Sequence, residues 1–250
     1  GLKRADGTDC ATPPKHPLAH ERVRYVGEPV AAVVASTMEQ ARNAAEAIAV
    51  DYDELPMVVD LADAQAAGAP VICDAAPDNI AAEMSHGNAT ATSAAFAAAT
   101  HVVTLDITNQ RVAALTLEPR AVLAYPEEKT GRLTIRLSSQ MPSGLRDSVC
   151  ASLSLPKDRV RVVVGDVGGG FGMKTGAYPE DVAVAYCAQT LQRPVKWTAE
   201  RGEEFLSSAH GRDLQTHAEL ALDGSGKILA LRLRSAANVG AYASMTGVII

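Results

Sequence analysis

Residues 158–201 read DRVRVVVGDVGGGFGMKTGAYPEDVAVAYCAQTLQRPVKWTAER, and the prediction of the fold starts from this stretch. The apolar β-branched run at 160–164 predicts a strand, and the short segment 194–198 predicts another. The apolar spacing of 179–191 predicts a helix between them. The cluster GGGFG at 168–172 separates the first strand from the helix. The stretch therefore predicts a strand–glycine loop–helix–strand unit.

The glycine cluster favours a specialised loop, because glycine tolerates positive φ and lets the backbone approach another group closely. Successive N–H groups in such a loop can form an anion-binding concavity, and a following helix N-terminus adds to the attraction. We therefore expect the loop to hold a polar or anionic cofactor, and a tight turn without a ligand is the alternative. The stretch does not match two known phosphate-binding motifs. Met173 separates Gly172 from Lys174, which breaks a P-loop, and Met173 and Thr175 stand where a dinucleotide fingerprint needs glycine.

Length and composition bound the class of protein. The 250 residues suit one large domain or two modest ones, with 47% hydrophobic and 4% aromatic residues. A formal net charge of −6 without long single-sign blocks gives no sign of a nucleic-acid-binding face. No apolar run reaches about 18 residues, and no secretory signal is visible. We expect an excised piece of a longer protein, because the chain begins at Gly1 and ends on the apolar run 248–250.

The spacing of the cysteines indicates the redox environment of the protein. Cys10, Cys73, Cys150 and Cys187 are scattered and form no C-x-x-C pair. A structural zinc site, an iron–sulfur cluster or a disulfide framework within this chain is therefore not expected. The pattern is typical of free thiols in a reducing cytoplasm.

The remaining elements follow from periodicity and turn chemistry. A β-turn-β-α-β unit is predicted at 22–52, with strands within 22–35 and at 49–52 around a helix at 37–48 that Ser36 caps. Further helices are predicted at 61–67, 92–99 and 143–153, the last capped by Ser143. Further strands are predicted at 101–108, 121–125, 133–138, 215–222 and 228–236. Turns at 127–132 and 223–226 predict hairpins.

Other polar residues carry weaker signals. Gln140 ends a predicted strand just before a helix, where α/β folds place polar site residues, but solvated loop glutamines are common. Glu118 and Arg120 are interpreted as a surface pair. Asp166 is expected to cap backbone N–H groups of the glycine loop. The run from Glu200 to Glu204 is interpreted as a solvated, charge-balanced turn. No G-x-S-x-G elbow supports hydrolase chemistry.

Four separated segments carry a family resemblance: VGDVGGGFGMK at 164–174, RPVKWTAERGEEFLSSAHGRD at 193–213, VRYVGEPVAAVVA at 23–35 and VDYDELP at 50–56. With them the chain resembles the large, molybdenum-binding chain of the xanthine dehydrogenase, aldehyde oxidase and carbon monoxide dehydrogenase family. The resemblance implies an α+β fold. Residues 1–80 would form an α/β hammerhead domain that is incomplete at its N-terminus. Residues 81–100 would be a linker, and residues 101–250 the first part of a mixed α/β molybdopterin-binding domain.

The resemblance also implies a cofactor and its contacts. The cofactor would be molybdenum on a pterin dithiolene, usually extended as the cytosine dinucleotide in bacterial members. Gln140 falls on the glutamine that hydrogen-bonds the apical oxo ligand, and no side chain of this chain would ligate the metal. Gly169, Gly170, Phe171 and Gly172 fall on the loop beside the metal, and Phe171 would help to wall the substrate pocket. Gln140 and Phe171 are the candidate catalytic residues.

The implied activity is oxidative hydroxylation of an aldehyde, an N-heterocycle or carbon monoxide, with water as the oxygen source. The implied partners are iron–sulfur and FAD subunits, assembled as a dimer of heterotrimers, and a small-molecule substrate. Neither nucleic acid nor a membrane is implied. The family's catalytic glutamate and most cofactor contacts would lie beyond Ile250, so we expect the piece alone to be inactive. A non-catalytic assembly module of the same fold is the alternative.

Overall fold

The computed structural model describes residues 2–243 and divides the chain into two compact units, each assembled from separated segments. The first unit contains residues 1–13, 55–112 and 211–250, and the second contains residues 14–54 and 113–210. The domain boundaries at residues 80 and 100 stay a prediction. Gly1 and residues 248–250, on which the expectation of an excised piece rests, lie outside the described residues.

The second unit is built on a four-stranded mixed sheet. Its strand order is β5-β4-β3-β6, with β4 and β5 parallel and the other neighbours antiparallel. The turn at 127–132 joins β3 to β4, as predicted. The strands are β3 (Ala121–Pro126), β4 (Leu133–Leu137), β5 (Val160–Val163) and β6 (Val195–Thr198). The helices are α1 (Met38–Glu46), α4 (Pro142–Leu153), α5 (Pro179–Leu191) and α6 (Arg201–Ser207), with 3₁₀ turns at Lys157–Arg159 and Met173–Thr175.

The core of this unit lies between the sheet and the helices α4 and α5. Ile135 of β4 and Leu145 and Val149 of α4 are fully buried there. Ala185 and Ala188 of α5 are also completely buried, because alanine lets a helix approach a sheet closely. Burial of this apolar surface is the main stabilising term, at roughly 25 cal/mol per Å². It holds in place the two loops that leave β4 and β5.

The first unit contains a three-stranded antiparallel sheet of order β1-β8-β9. Its strands are β1 (His101–Asn109), β8 (Leu214–Leu222) and β9 (Ile228–Ala237), and the predicted hairpin at 223–226 joins the last two. Its helices are α2 (Leu61–Ala64) and α3 (Ala89–Ala98). Two short strands, β2 (Val112–Ala113) and β7 (His210–Gly211), lie where the chain passes between units.

One face of this sheet carries an apolar row. Val103 of β1 and Leu231 of β9 lie opposite the same residue of the central strand β8, one on each side of it. Leu105 and Leu233 are related in the same way. These four side chains are each more than half exposed among the described residues. Ile107 continues the row along β1 and is also exposed.

The predicted elements outside the N-terminal region are confirmed, most of them to within two residues at each end. The strands predicted within 22–35 and at 49–52 are wrong: of that unit only α1 forms, and it begins after Thr37, whose Oγ1 accepts from Gln40 N at 3.2 Å. Alternating valines predict a strand, but a strand needs a hydrogen-bonded neighbouring strand, and the described residues form no strand ladder at either segment. The predicted cap Ser143 is also wrong, because α4 begins at Pro142 after Met141.

Candidate functional site

The sheet of the second unit brings Gln140 and the glycine loop together. Strands β4 and β5 are parallel neighbours, so their carboxyl ends meet at one edge of the sheet. Gln140 follows β4 and the loop 164–178 follows β5. Crevices outside the carboxyl ends of parallel strands are where open α/β sheets bind ligands. The strand topology therefore explains why Gln140 and the glycine loop lie together.

The carboxamide of Gln140 is bonded to the loop through its oxygen. Oε1 accepts from Gly172 N at 3.1 Å and from Lys174 N at 3.2 Å, and the main-chain N of Gln140 donates to Lys174 O at 2.8 Å. Two donors on one oxygen settle the orientation of the amide, because a flipped amide would direct its NH₂ group at two N–H groups. The NH₂ group, Nε2, has no partner among residues 2–243. Gln140 therefore presents a hydrogen-bond donor away from the loop backbone.

Gly170 is a glycine because of this contact. A Cβ at position 170 would lie 2.5 Å from Gln140 Cδ and 2.5 Å from Gln140 Oε1. Gly170 is buried and has no positive φ, so close approach alone excludes a side chain. Gly169 and Gly172 are different, with φ of 104° and 86°, which lie in the region that favours glycine.

The N–H groups of the loop divide into two sets. Those of Gly172 and Lys174 are bonded to Gln140, and Met173 N donates to Gly170 O at 2.8 Å. The N–H groups of Gly169, Gly170 and Phe171 have no acceptor among the described residues. This central part of the loop therefore retains free donors, and the binding of a polar or anionic cofactor by the loop stays a prediction.

The outer surface of the loop is open. Phe171 has a φ of 50° and its side chain is 76% exposed. Such a φ is uncommon for a non-glycine residue and marks a position that its surroundings impose. At Gly172 an added Cβ would meet nothing within 4 Å. An apolar ring and an unobstructed stretch of backbone are thus exposed on the loop that holds the Gln140 oxygen.

A carboxylate that the sequence interpretation assigned to the surface anchors the loop. Glu118 Oε2 accepts from Ser138 Oγ at 2.6 Å, from Gly168 N at 2.7 Å and from Lys174 Nζ at 3.0 Å. Asp166, which was predicted to cap the loop, is exposed and makes none of these bonds. The prediction is wrong because the carboxylate that reaches the loop is 50 positions away in the chain, where no local pattern shows it.

Burial disfavours the charged form of Glu118, but the hydrogen bonds from Ser138, Lys174 and Gly168 outweigh it and lower the pKa of this carboxyl. Gly168 must be glycine for the same reason as Gly170, since a Cβ there would lie 2.4 Å from Glu118 Cβ. Gly168 therefore leaves room for the side chain of Glu118, and Gly170 leaves room for the side chain of Gln140.

Arg120 forms a second buried network that the surface-pair interpretation missed. It is 5% exposed, and its guanidinium pairs with Glu180, donates to Ser207 Oγ at 2.5 Å and lies 3.9 Å from the centroid of the Tyr178 ring. Its main-chain N donates to Glu204 Oε1 at 2.7 Å. Burial raises the pKa of Glu180, with Arg120 opposing the shift.

The segment interpreted as a solvated turn is the helix α6. Glu204 is 2% exposed and accepts from Arg120 N and from Arg201 at 2.7 Å. The prediction is wrong because charged residues usually lie at the surface, whereas this carboxylate is paired inside. The capping pattern at Glu200 and Glu203 was the signal that could have found the helix.

A shallow crevice, open to solvent, lies beside the glycine loop in the second unit. Lys174, which is bonded to Gln140, lines it, whereas Gln140, Phe171 and Gly172 do not. Its lining residues are Arg120, Ala121, Leu137, Ser138, Leu145, Lys174, Gly176, Tyr178 and Asp181.

Comparison with known families gives two matches. The profile described as "Molybdopterin cofactor-binding domain" matches residues 72–250. The profile described as "Aldehyde oxidase and xanthine dehydrogenase, a/b hammerhead domain" matches residues 3–56. None of the described helices is long and apolar enough to cross a membrane.

Individual relatives agree with these profiles. The chain is 37% identical over 241 residues to the carbon monoxide dehydrogenase large chain of Hydrogenophaga pseudoflava, covering 90% of this chain and 30% of that one. It is 34% identical over 228 residues to the 6-hydroxypseudooxynicotine dehydrogenase complex subunit gamma of Paenarthrobacter nicotinovorans, covering 91% and 28%. The chain thus spans less than a third of the length of these relatives.

Solved structures share the fold. Reconstituted CO dehydrogenase from Oligotropha carboxidovorans superposes with a TM-score of 0.80 at 33% identity, covering 88% of this chain and 29% of that one. Quinoline 2-oxidoreductase from Pseudomonas putida 86 superposes with a TM-score of 0.76 at 36% identity, covering 88% and 28%.

Proposed function

Because this chain belongs to the molybdopterin cofactor-binding domain family, with a hammerhead segment at residues 3–56, we propose that it supplies part of the cofactor site of a molybdenum-dependent oxidoreductase. In this proposal Gln140, Gly169, Gly170, Phe171 and Gly172 contact the cofactor. The observation that carries it is the orientation of the Gln140 carboxamide, whose oxygen is held by the loop and whose NH₂ group has no partner among the described residues.

The residues present fit a molybdenum–pterin group. Such a group presents oxygen atoms that accept hydrogen bonds, and the site offers donors without partners among the described residues: Gln140 Nε2 and the N–H groups of Gly169, Gly170 and Phe171. No cluster of metal-ligating side chains occurs among residues 2–243.

When bound, this group supplies oxidative hydroxylation with water as the source of oxygen. The chain's own residues bind and orient. Gln140 would donate from Nε2 to an oxygen atom of the cofactor, and its carboxamide would need no reorganisation because two N–H groups already hold its oxygen. The ring of Phe171 offers an apolar wall to a flat or small substrate and displaces water from that side.

The activity, substrate and assembly of the whole protein are part of the proposal. The substrate class is an aldehyde, an N-heterocycle or carbon monoxide, and the cofactor is the cytosine dinucleotide form. Iron–sulfur and FAD subunits receive the electrons, in a dimer of heterotrimers located in the cytoplasm. Two of the matched relatives are named as a complex subunit and as a large chain, which supports an assembly of several chains.

The test uses the complete subunit expressed with its partner subunits. Its molybdenum content is measured by mass spectrometry, and turnover is assayed with an aldehyde, an N-heterocycle and carbon monoxide. We expect stoichiometric molybdenum and turnover of one substrate class. In Gln140→Glu, one carboxylate oxygen still accepts from Gly172 and Lys174, but the NH₂ donor is gone. We expect kcat to fall about 10²-fold to 10³-fold, the range seen when one oriented donor is removed.

Asp147→Asn is the matched control, because Asp147 is an exposed carboxylate of the same unit that pairs with Lys157 at 2.7 Å. It is expected to leave molybdenum content and turnover unchanged. A wild-type complex without molybdenum would refute the proposal and favour a non-catalytic assembly module. Full activity in Gln140→Glu would refute the assigned role of Gln140.

A further inference from the structure

The ammonium group of Lys174 is buried where the glycine loop closes, and it forms an ion pair with Glu118. Lys174 Nζ donates to Glu118 Oε2 and to Glu118 O, each at 3.0 Å, and its side chain is 2% exposed. Glu118 is 38% exposed. A buried ammonium costs several kcal/mol in desolvation and persists only when paired and hydrogen-bonded. Apolar residues at these positions would stabilise the fold equally well or better. The ion pair is therefore expected to have a role besides stability.

One oxygen of Glu118 joins three segments. Ser138, which donates to Oε2, lies two residues before Gln140. Gly168, which also donates to it, opens the glycine loop, and Lys174 closes the loop. This single atom is therefore bonded to the end of β4 and to both ends of the loop.

The backbone of Lys174 transmits this constraint to Gln140. Lys174 N donates to Gln140 Oε1, and Lys174 O accepts from Gln140 N. The residue whose side chain is fixed by Glu118 is thus the residue whose main chain holds Gln140 at two points. A displacement of the Lys174 side chain would alter both bonds.

Glu118 is poorly suited to acid–base work. Its pKa is lowered by its hydrogen-bond donors in spite of burial, and a carboxylate with a low pKa is a weak base. Its Oε2 is already occupied by three donors. A positioning role agrees with both facts.

We propose that the Glu118–Lys174 ion pair is the positioning device that holds the Gln140 carboxamide against the glycine loop and directs its NH₂ group at the bound cofactor. This inference rests on the proposed function for the cofactor, but the position of Gln140 itself does not depend on it. Glu118 and Lys174 act through Gln140 and are positioning residues.

The test is a double-mutant cycle in the complete enzyme complex, with Glu118→Gln, Gln140→Ala and the double variant. Glutamine at position 118 keeps the shape and removes the charge that holds Lys174. We expect kcat to fall about tenfold or more in Glu118→Gln, with KM nearly unchanged, because a contact to the transition state is misplaced. In the Gln140→Ala background the same substitution is expected to have no further effect. Lys174→Met reproduces Glu118→Gln, and the control Asp147→Asn changes nothing.

A second readout does not use activity. A crystal structure of the Glu118→Gln complex is expected to show Gln140 Oε1 withdrawn from Gly172 N and Lys174 N. An unmoved Gln140, or effects of Glu118→Gln and Gln140→Ala that multiply, would overturn the positioning role. Absence of molybdenum from the wild-type complex would overturn the proposed function instead, and the crystal structure would still decide whether the pair positions Gln140.

Discussion

Replacing Gly170 by alanine tests the packing of Gln140 on the loop. The added Cβ would stand 2.5 Å from Gln140 Cδ and Oε1, so the side chain of Gln140 must leave. Gly176→Ala is the matched control. Gly176 is six residues on, has an extended backbone with φ of −113°, and has nothing within 4 Å of its Cβ position.

The magnitude follows from the bonds that are lost. Displacing Gln140 breaks the hydrogen bonds to its Oε1 from Gly172 N and Lys174 N, each worth about 0.5–1.5 kcal/mol net. Replacing glycine by alanine also stabilises the folded state by about 0.4–1 kcal/mol, because it restricts the conformations of the unfolded chain. The net loss is about 0–2.6 kcal/mol with a midpoint near 1.3 kcal/mol, and this midpoint lowers Tm by roughly 3–5 °C for a chain of this size. The control Gly176→Ala has no such clash, so its free energy of unfolding is expected to rise by about 0.4–1 kcal/mol.

The assay is thermal unfolding of both variants and the wild type, followed by circular dichroism under identical conditions. The expected order of Tm is Gly176→Ala, wild type, Gly170→Ala, from highest to lowest. A Tm for Gly170→Ala at or above that of Gly176→Ala would refute the reasoning, because it would mean that Gln140 does not occupy the space over Gly170.

Three further outcomes are expected. Arg120→Met leaves Glu180 buried without its partner and destabilises the chain by about 3–5 kcal/mol in urea unfolding, whereas Arg42→Met, which removes an exposed ion pair, changes stability by less than about 1 kcal/mol. Burial raises the pKa of Asp181 from 3.8 to about 7, so the folded state holds a proton that the unfolded state releases between these values. The resulting stability is fully present below about pH 4 and is lost as pH rises through about 7, and Asp181→Asn is expected to flatten Tm against pH over that range. Gly202→Ala, in the first turn of α6 where nothing lies within 4 Å of its Cβ position, is expected to raise stability by about 0.4–1 kcal/mol in the same urea assay.

The parts of the fold that sequence predicts are those with strong local patterns. The run at 160–164 and the spacing of 179–191 predict β5 and α5, because a buried strand and a helix on a sheet need those periods. The position of Gln140 at a strand end is likewise a local feature. Its contact with the loop follows once β4 and β5 are parallel neighbours.

What sequence did not predict depends on distant partners. Glu118 and Arg120 look like a surface pair because their neighbours in sequence are ordinary, while their partners lie 20 to 87 positions away. The valines at 30–34 have a strand pattern, but no described segment completes a ladder with them. Local propensity cannot show either fact, since both are properties of tertiary contacts.

The pairing of β1 with β8 has a consequence for synthesis. Partners run from Asn109–Leu214 to His101–Leu222, which places them 105 to 121 residues apart. A ribosome that adds about 5–20 residues per second leaves β1 waiting roughly 5–25 s for its neighbour. During that time Val103, Leu105 and Ile107 are available to holdase chaperones or to other nascent chains. Yield in a heterologous host is therefore governed by how well the host shields this strand while translation proceeds.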